Sequence, residues 1–172
     1  MEYFDILTAE GQATGKTAER DQVHSQGLWH AAIDIWLIND KNKLLLQKRA
    51  QNKDSYPNLW EVSCSGHILS GETPEQAAVR ELYEELGLTI EPSQLKKLFQ
   101  TTECYTLNNG TFINNEYKTV FLLPTTETDF QFNDGEVTAI KWLTIDELKV
   151  HQNAPDFVPH PKTYPMLFQS LA

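Results

Sequence analysis

The sequence predicts an α+β fold, a mixed β-sheet sandwiched between helices in an α/β/α arrangement. Two patterns carry that expectation. Short segments rich in Val, Thr, Phe, Tyr and Trp have strand character, the clearest of them alternating with the period of two that a pleated strand requires. The strongest helices open on capping signatures, and strands and helices follow in no strict alternation, which favours a mixed sheet over a uniformly parallel one. Length sets the domain count: 172 residues, 40% of them apolar, fill one sizeable core, so residues 1–172 are expected to form a single domain with residues 1–27 packed on it as an extension.

Along the chain, residues 1–27 are polar and turn-rich, with a strand expected at Tyr3–Leu7 followed by a loop. Gly15-Lys16-Thr17 resembles the end of a phosphate loop, but that motif needs a glycine where Glu10 stands. From Trp29 to Ile38, Ile33, Ile35 and Leu37 alternate with Ala32, Asp34 and Trp36; the turn Asn39-Asp40-Lys41-Asn42 and the run Leu44-Leu45-Leu46 complete a hairpin. A short strand is expected over Leu59–Ser63, and further strands over Lys97–Leu107, Tyr117–Leu123 and Val137–Leu143. A helix runs from Pro74 to Leu86, because Thr73 caps it, Gln76 completes a capping box and Gly87 ends it. Thr144 and Glu147 repeat the signature for a short helix through about Val150, and a last helix is expected over Met166–Leu171. No internal repeat or low-complexity tract is present.

Composition excludes several partners. A net charge of −10 argues against nucleic acid, whose phosphates need Lys and Arg. It leaves room for an anionic small molecule if divalent cations stand between the two sets of negative charge. No apolar run approaches the 18 to 20 or so residues that span a bilayer, and Met1 opens onto Glu2 and Asp5 instead of a signal peptide, so no membrane contact and a cytoplasmic location are expected. Cys64 and Cys104 are expected to be free thiols packed as small apolar groups.

On the helix, Ala78, Leu82 and Leu86 form one stripe while Glu81, Glu84 and Glu85 cluster on the other side. Charge runs usually mean a solvated face. Against that, carboxylates three and four residues apart repel one another unless neutralised, and such a set suits Mg2+, which prefers oxygen ligands and substrate phosphates. Arg80 stands four residues before Glu84 and close to Glu72, so it can hold a carboxylate.

The segment Gly66-His67-Ile68-Leu69-Ser70-Gly71-Glu72, seven residues, then Arg80-Glu81-Leu82-Tyr83-Glu84-Glu85-Leu86-Gly87-Leu88 resembles the complete box of the Nudix hydrolases, Gly-x5-Glu-x7-Arg-Glu-U-x-Glu-Glu-x-Gly-U with U aliphatic. Seven fixed identities coincide by chance on the order of once in 10^8 windows, so the solvated-face reading gives way. The resemblance implies a Nudix fold, a loop-helix-loop that binds Mg2+ or Mn2+, a small-molecule diphosphate substrate and a homodimer as a candidate assembly. It implies metal ligation by Glu84, Glu85 and the Gly66 carbonyl, with Glu81 as ligand or base, and a structural pair in Glu72 and Arg80.

A more diffuse resemblance, over about two thirds of the chain, is to isopentenyl-diphosphate isomerases. It rests on Phe4–Leu7, Val23-His24, Leu28–Ala32, Leu45–Ala50, Pro57–Trp60, Ser65-Gly66-His67 and Asn114–Tyr117. It implies a second metal or substrate site at His24, His30 and His67 with Glu116, which is also a candidate catalytic ligand or base; Glu136 competes for that role. Two departures disfavour isomerisation: Ser65 stands where those enzymes have a catalytic cysteine, and Asn114 where they have a ligand glutamate. Cys64, one place earlier, would face the other side of a strand. Lys48 and Arg49 are candidates for substrate phosphates, and Trp60, Trp142, Tyr105 and Phe112 for stacking on a base or for the core. Diphosphate hydrolysis in a nucleoside diphosphate derivative or related organic diphosphate is the leading reading. An isomerase and a non-catalytic ligand-binding domain are the alternatives, the last disfavoured because no box glutamate is lost.

Overall fold

The computed structural model describes residues 1–172, which form nine strands and four α-helices. In chain order these are β1 (Tyr3–Leu7), β2 (Ala13–Glu19), α1 (Arg20–Gln26), β3 (Trp29–Ile38), β4 (Lys43–Arg49), β5 (Trp60–Val62), β6 (Cys64–His67), α2 (Pro74–Leu86), β7 (Lys96–Leu107), β8 (Phe112–Pro124), β9 (Val137–Thr144), α3 (Ile145–His151) and α4 (Thr163–Ser170). The caps form as the residue types dictate. Thr73 Oγ1 accepts from Gln76 N at 3.2 Å and Gln76 Oε1 from Thr73 N at 2.9 Å; Thr144 and Glu147 exchange the same pair at 3.1 and 2.7 Å. Gly87 ends α2 in the left-handed region, at φ 70°.

Where the elements depart from expectation, the local pattern is weak. Residues 8–27, expected as a loop, hold β2 and α1. β2 is an edge strand paired with β1, and Ala18 is its one buried residue, so it needs no apolar alternation. α1 has seven residues and no side-chain cap at Glu19. β8 begins at Phe112, not Tyr117, because Asn114 and Asn115 lie inside it. α4 begins at Thr163, three residues early, with Pro165 in its first turn, where a missing N–H costs nothing.

β3 is the centre of the sheet. β8 runs parallel to it from Trp29↔Asn115 to Ile38↔Pro124, and the other pairings are antiparallel, so the sheet is mixed. The opposite edge of β3 is shared in sequence by β1 at Trp29, β6 from Ala32 to Ile35 and β4 at Ile38. β3 and β4 therefore meet only at Ile38↔Leu44 and diverge from there. β5 pairs with β4, β6 with β3, and the chain between them crosses the gap at Ser63. Its buried hydroxyl donates to Leu45 O at 2.6 Å and accepts from Leu37 N at 2.8 Å, replacing the ladder bond that the divergence removes.

Both faces of the sheet are covered. Ile33, Ile35, Leu37, Leu45, Phe121 and Leu123 pack with Ala77, Ala78, Leu82 and Leu86 of α2. The alternate residues Trp36, Leu44, Leu46, Val120 and Leu122 pack with Leu148 of α3 and Tyr164 and Leu167 of α4. Each fully buried large apolar side chain contributes about 1.5–3 kcal/mol, which makes these two layers the main stabilising term. A small third cluster, Phe4, Ile6, Ala18 and Val23, seats the first 27 residues against the sheet. No helix is long and apolar enough to cross a membrane, which leaves β-barrel insertion unaddressed.

Candidate active site

The loop before α2 is tied back to the helix by one guanidinium. Arg80 Nε and Nη2 donate to the two oxygens of Glu72 at 2.8 and 2.9 Å, and Nη2 also reaches His67 O at 3.0 Å. Glu72 further accepts from Leu69 N at 3.0 Å. Burial would raise the Glu72 carboxyl, but Arg80 and the Leu69 amide outweigh it and hold the group below its usual range. Gly66, in β6, passes α2 so closely that a Cβ would lie 2.2 Å from Glu81 Cδ. Only glycine leaves room for that carboxylate beside the backbone.

Glu81 and Glu85 are buried and Glu84 is partly exposed, so the acidic side of α2 faces the gap where β3 and β4 diverge, not open solvent. Glu85 Oε2 accepts from Gln47 Nε2 at 2.8 Å and Ser65 N at 3.3 Å. Arg80 Nη1 donates to Glu81 Oε1 at 2.6 Å and to Glu84 Oε2 at 3.4 Å, leaving Glu81 Oε2 and Glu84 Oε1 unpartnered. Burial pushes the Glu81 carboxyl up to about 7, against the pull of Arg80, and Glu85 well above its ordinary value. One guanidinium, already committed to Glu72, thus serves Glu81 and Glu84, and Glu85 has no ion pair. Such an excess of buried anionic oxygen is the donor set that a hard divalent cation requires, and these residues fit one.

At the neighbouring end of the cleft, His24 of α1, His30 of β3 and His67 of β6 bring ring nitrogens within 4.8 Å of one another. Glu116 of β8 joins them, its Oε1 being 3.6 Å from His30 Nε2 and 3.4 Å from His67 Nε2. The Nδ1 atoms of His24 and His30 lie 3.0 and 2.9 Å from the Arg20 and Leu28 carbonyls. Carbonyls only accept, so Nδ1 carries a proton and only Nε2 can serve as a ligand atom. The Nε2 atoms of both rings have no hydrogen-bond partner, nor does either side-chain polar atom of buried Asn114. Burial lowers His67 to about 4, keeping it neutral, and lowers His24. Burial would raise Glu116, but the neighbouring His30 and His67 rings and the Lys118 charge hold it well below its usual range. Imidazoles held by carbonyl-bound Nδ1 atoms, beside a carboxylate, also fit a metal.

The structure sorts the remaining candidates. Ser65 lines the cleft, whereas Cys64 points into the core under α2 with its thiol pushed up by burial. Cys64 and Cys104 are both free, but Cys104 is exposed instead of packed. Arg49 lines the cleft with its fork engaged, by an ion pair to Glu61 and by bonds to Ser55 O at 3.0 Å and Ser55 Oγ at 3.1 Å. Lys48 lies outside, 5.9 Å from the Trp60 ring. Tyr105 and Phe112 line the cleft, while Trp60 and Trp142 pack against the two cores. Glu136 reaches the cleft paired with Lys53.

Several cleft residues were not anticipated from the sequence. Gln47 supports Glu85, and Lys53 and Arg20 lie on the rim. Asp34, Glu103, Lys118 and His160 form a buried charged floor: Lys118 Nζ is 3.2 Å from Asp34 Oδ2 and 2.6 Å from Glu103 Oε2, and His160 Nδ1 is 2.6 Å from Glu103 Oε1. One signal was readable, since a charged residue inside an apolar strand, as in Ile33-Asp34-Ile35, needs a buried partner.

A family model, NUDIX domain, matches residues 28–166. The chain belongs to the Nudix family. Nudix hydrolase 3 of Arabidopsis thaliana is 38% identical over 167 residues, 92% of this chain but 22% of that protein, so the chain spans under a quarter of this relative. A Nudix hydrolase of Listeria monocytogenes is 32% identical, over 93% of this chain and 90% of its own length. An isopentenyl-diphosphate Delta-isomerase of Pectobacterium atrosepticum is 34% identical over 83% of this chain and 77% of its own. Among solved structures, DR0079 of Deinococcus radiodurans superposes with a TM-score of 0.75 at 20% identity, covering 99% of this chain and 100% of that one. The NUDIX domain of Shewanella oneidensis NrtR, solved with ADP ribose, gives 0.61 at 18% identity, covering 83% and 88%. These likenesses bear out the Nudix fold and the resemblance to the isomerases.

Proposed function

We propose that this Nudix protein is a divalent-metal-dependent hydrolase that cleaves the diphosphate linkage of a nucleoside diphosphate derivative or related organic diphosphate. The observation that carries the reading is the convergence of Glu81, Glu84 and Glu85 on one cleft, where Arg80 pairs with the first two and Glu85 has no ion pair. Glu84, Glu85 and the Gly66 carbonyl would hold Mg2+ or Mn2+, which when bound neutralises the diphosphate and makes water a better nucleophile. Hydrolysis adds water to one phosphorus, breaks its bond to the bridging oxygen and passes the water proton to a carboxylate. Glu81 and Glu116 are the candidates for that base, and Glu72 with Arg80 holds the loop in place. Rim cations Arg20, Arg49 and Lys53 line the cleft where substrate phosphates enter. NrtR's NUDIX domain binding ADP ribose supports a nucleoside diphosphate derivative as the substrate class.

The test is release of phosphate or nucleotide from a panel of nucleoside diphosphate derivatives and isopentenyl diphosphate with Mg2+ or Mn2+. Glu84→Gln is expected to lower turnover by about 100-fold or more, with EDTA abolishing it and the melting temperature unchanged. Unaltered turnover in that variant removes the assignment.

The histidine cluster with Glu116 favours a second reading, an isomerase-like enzyme with a metal held by His24, His30, His67 and Glu116. Ser65 at the cleft and Cys64 in the core weigh against it, because no thiol reaches the cleft there. Isomerisation of isopentenyl diphosphate without hydrolysis of any panel member would reverse the preference.

A further inference from the structure

We propose that the inner floor of the cleft is a head-group subsite, in which Asp34 and His160 bind a hydroxylated, sugar-like group and reject an isoprenoid one. The proposal rests on the diphosphate reading of the same cleft and adds what the diphosphate is attached to.

The floor is a chain of four charged groups whose middle is closed and whose ends are open. Lys118 Nζ bridges Asp34 Oδ2 and Glu103 Oε2, and Glu103 Oε1 meets His160 Nδ1. At the two ends, Asp34 Oδ1 and His160 Nε2 have no hydrogen-bond partner, although Asp34 is 0% and His160 3% exposed. A cluster that served packing alone would close its bonds, since buried polar atoms are almost always paired. Both residues line the cleft together with Tyr105 and Asn114, so the open ends lie in its wall.

The two ends ask for complementary partners. A carboxylate oxygen only accepts, so Asp34 Oδ1 needs a donor. His160 Nδ1 donates to Glu103 Oε1, so the open atom of the ring is Nε2, and a hydroxyl can pair with it as donor or as acceptor. A hydroxyl donates and accepts, and a vicinal diol does both at once. A phosphate does not suit this end, because it brings no donor to Asp34 and would meet Asp34, Glu103 and Glu116. A hydrocarbon tail is worse, leaving both ends buried and unpaired, which is the situation in which a polar site rejects an analogue most strongly.

The experiment compares ribose 5-diphosphate with n-pentyl diphosphate, in the presence of Mg2+, on the wild type, His160→Phe and His160→Gln. Turnover is read as kcat/KM, and calorimetry reads binding of the methylene-bridged analogues of both compounds. The wild type is expected to prefer the ribose head by about 100-fold or more in both readouts. His160→Phe should bring the ratio toward one, and His160→Gln, whose amide still donates, should retain most of it. Equal handling of the two heads by the wild type, or an unchanged ratio in a folded His160→Phe, overturns the subsite, and ordered water alone then fills the floor. Should neither compound be hydrolysed while the analogues keep their binding ratio, the subsite stands and the hydrolase reading falls.

Discussion

The two buried charged clusters that share the cleft differ in balance. At the floor, Asp34 and Glu103 each have a partner inside the fold, Lys118 for both and His160 for Glu103. On α2, Glu81 and Glu84 share one arginine that Glu72 already holds, and Glu85 has no ion pair. A balanced cluster stabilises itself, whereas an unbalanced one stays costly until a cation arrives from outside. The imbalance therefore marks where an external charge is used, and the balance marks where none is needed.

The largest effect should come from upsetting the balanced cluster. Lys118→Met strands Asp34 and Glu103 in the interior and is expected to cost about 3–5 kcal/mol in urea unfolding; a loss within 1 kcal/mol, or about one kT or two, would erase the distinction. Next in size is acid. Lys118 and His160 outweigh burial and the nearby Glu116 charge, and hold Glu103 at about 2 against an ordinary 4.5. Its contribution is present above about pH 4.5 and lost as pH falls towards 2, about 3 kcal/mol in all, so unfolding free energy measured across that window should drop and Glu103→Gln should flatten the drop. On the box side, Glu72→Gln loosens the Arg80 fork and should cost about 1.5–3 kcal/mol together with activity; a wild-type melting curve would show that the loop does not depend on it. Smallest is the cation itself. Mg2+ at about ten times its Kd should raise wild-type stability by about 1.4 kcal/mol in thermal melts and Glu84→Gln by less, while an equal shift in both would place the ion elsewhere.

How much was legible follows from how local each signal is. The box could be read because its residues lie on one loop and one helix, so fixed offsets translate directly into a shared face. The strands β3, β7, β8 and β9 announced themselves through β-branched and aromatic residues, β4 through its leucine run after a turn, and α2 and α3 through their caps. β2 and α1 were hidden because one is an exposed edge strand and the other a short uncapped helix. β6 was hidden because its pairing with β3 depends on where the chain crosses at Ser63, a tertiary fact. The floor was out of reach for the same reason: Asp34, Glu103, Lys118 and His160 come from four segments, and only packing makes them neighbours.

The crossing at Ser63 also governs how wide this molecule can open. The cleft exists because the β3 and β4 ladders part after Ile38↔Leu44, not because side chains are missing from a packed layer. Shifting that junction by one residue would turn every following side chain to the wrong face, so the seam can lengthen only in two-residue increments, about 6.6 Å of strand. The aperture is therefore quantised, and tuning finer than that increment has to come from side chains and loops around a fixed frame.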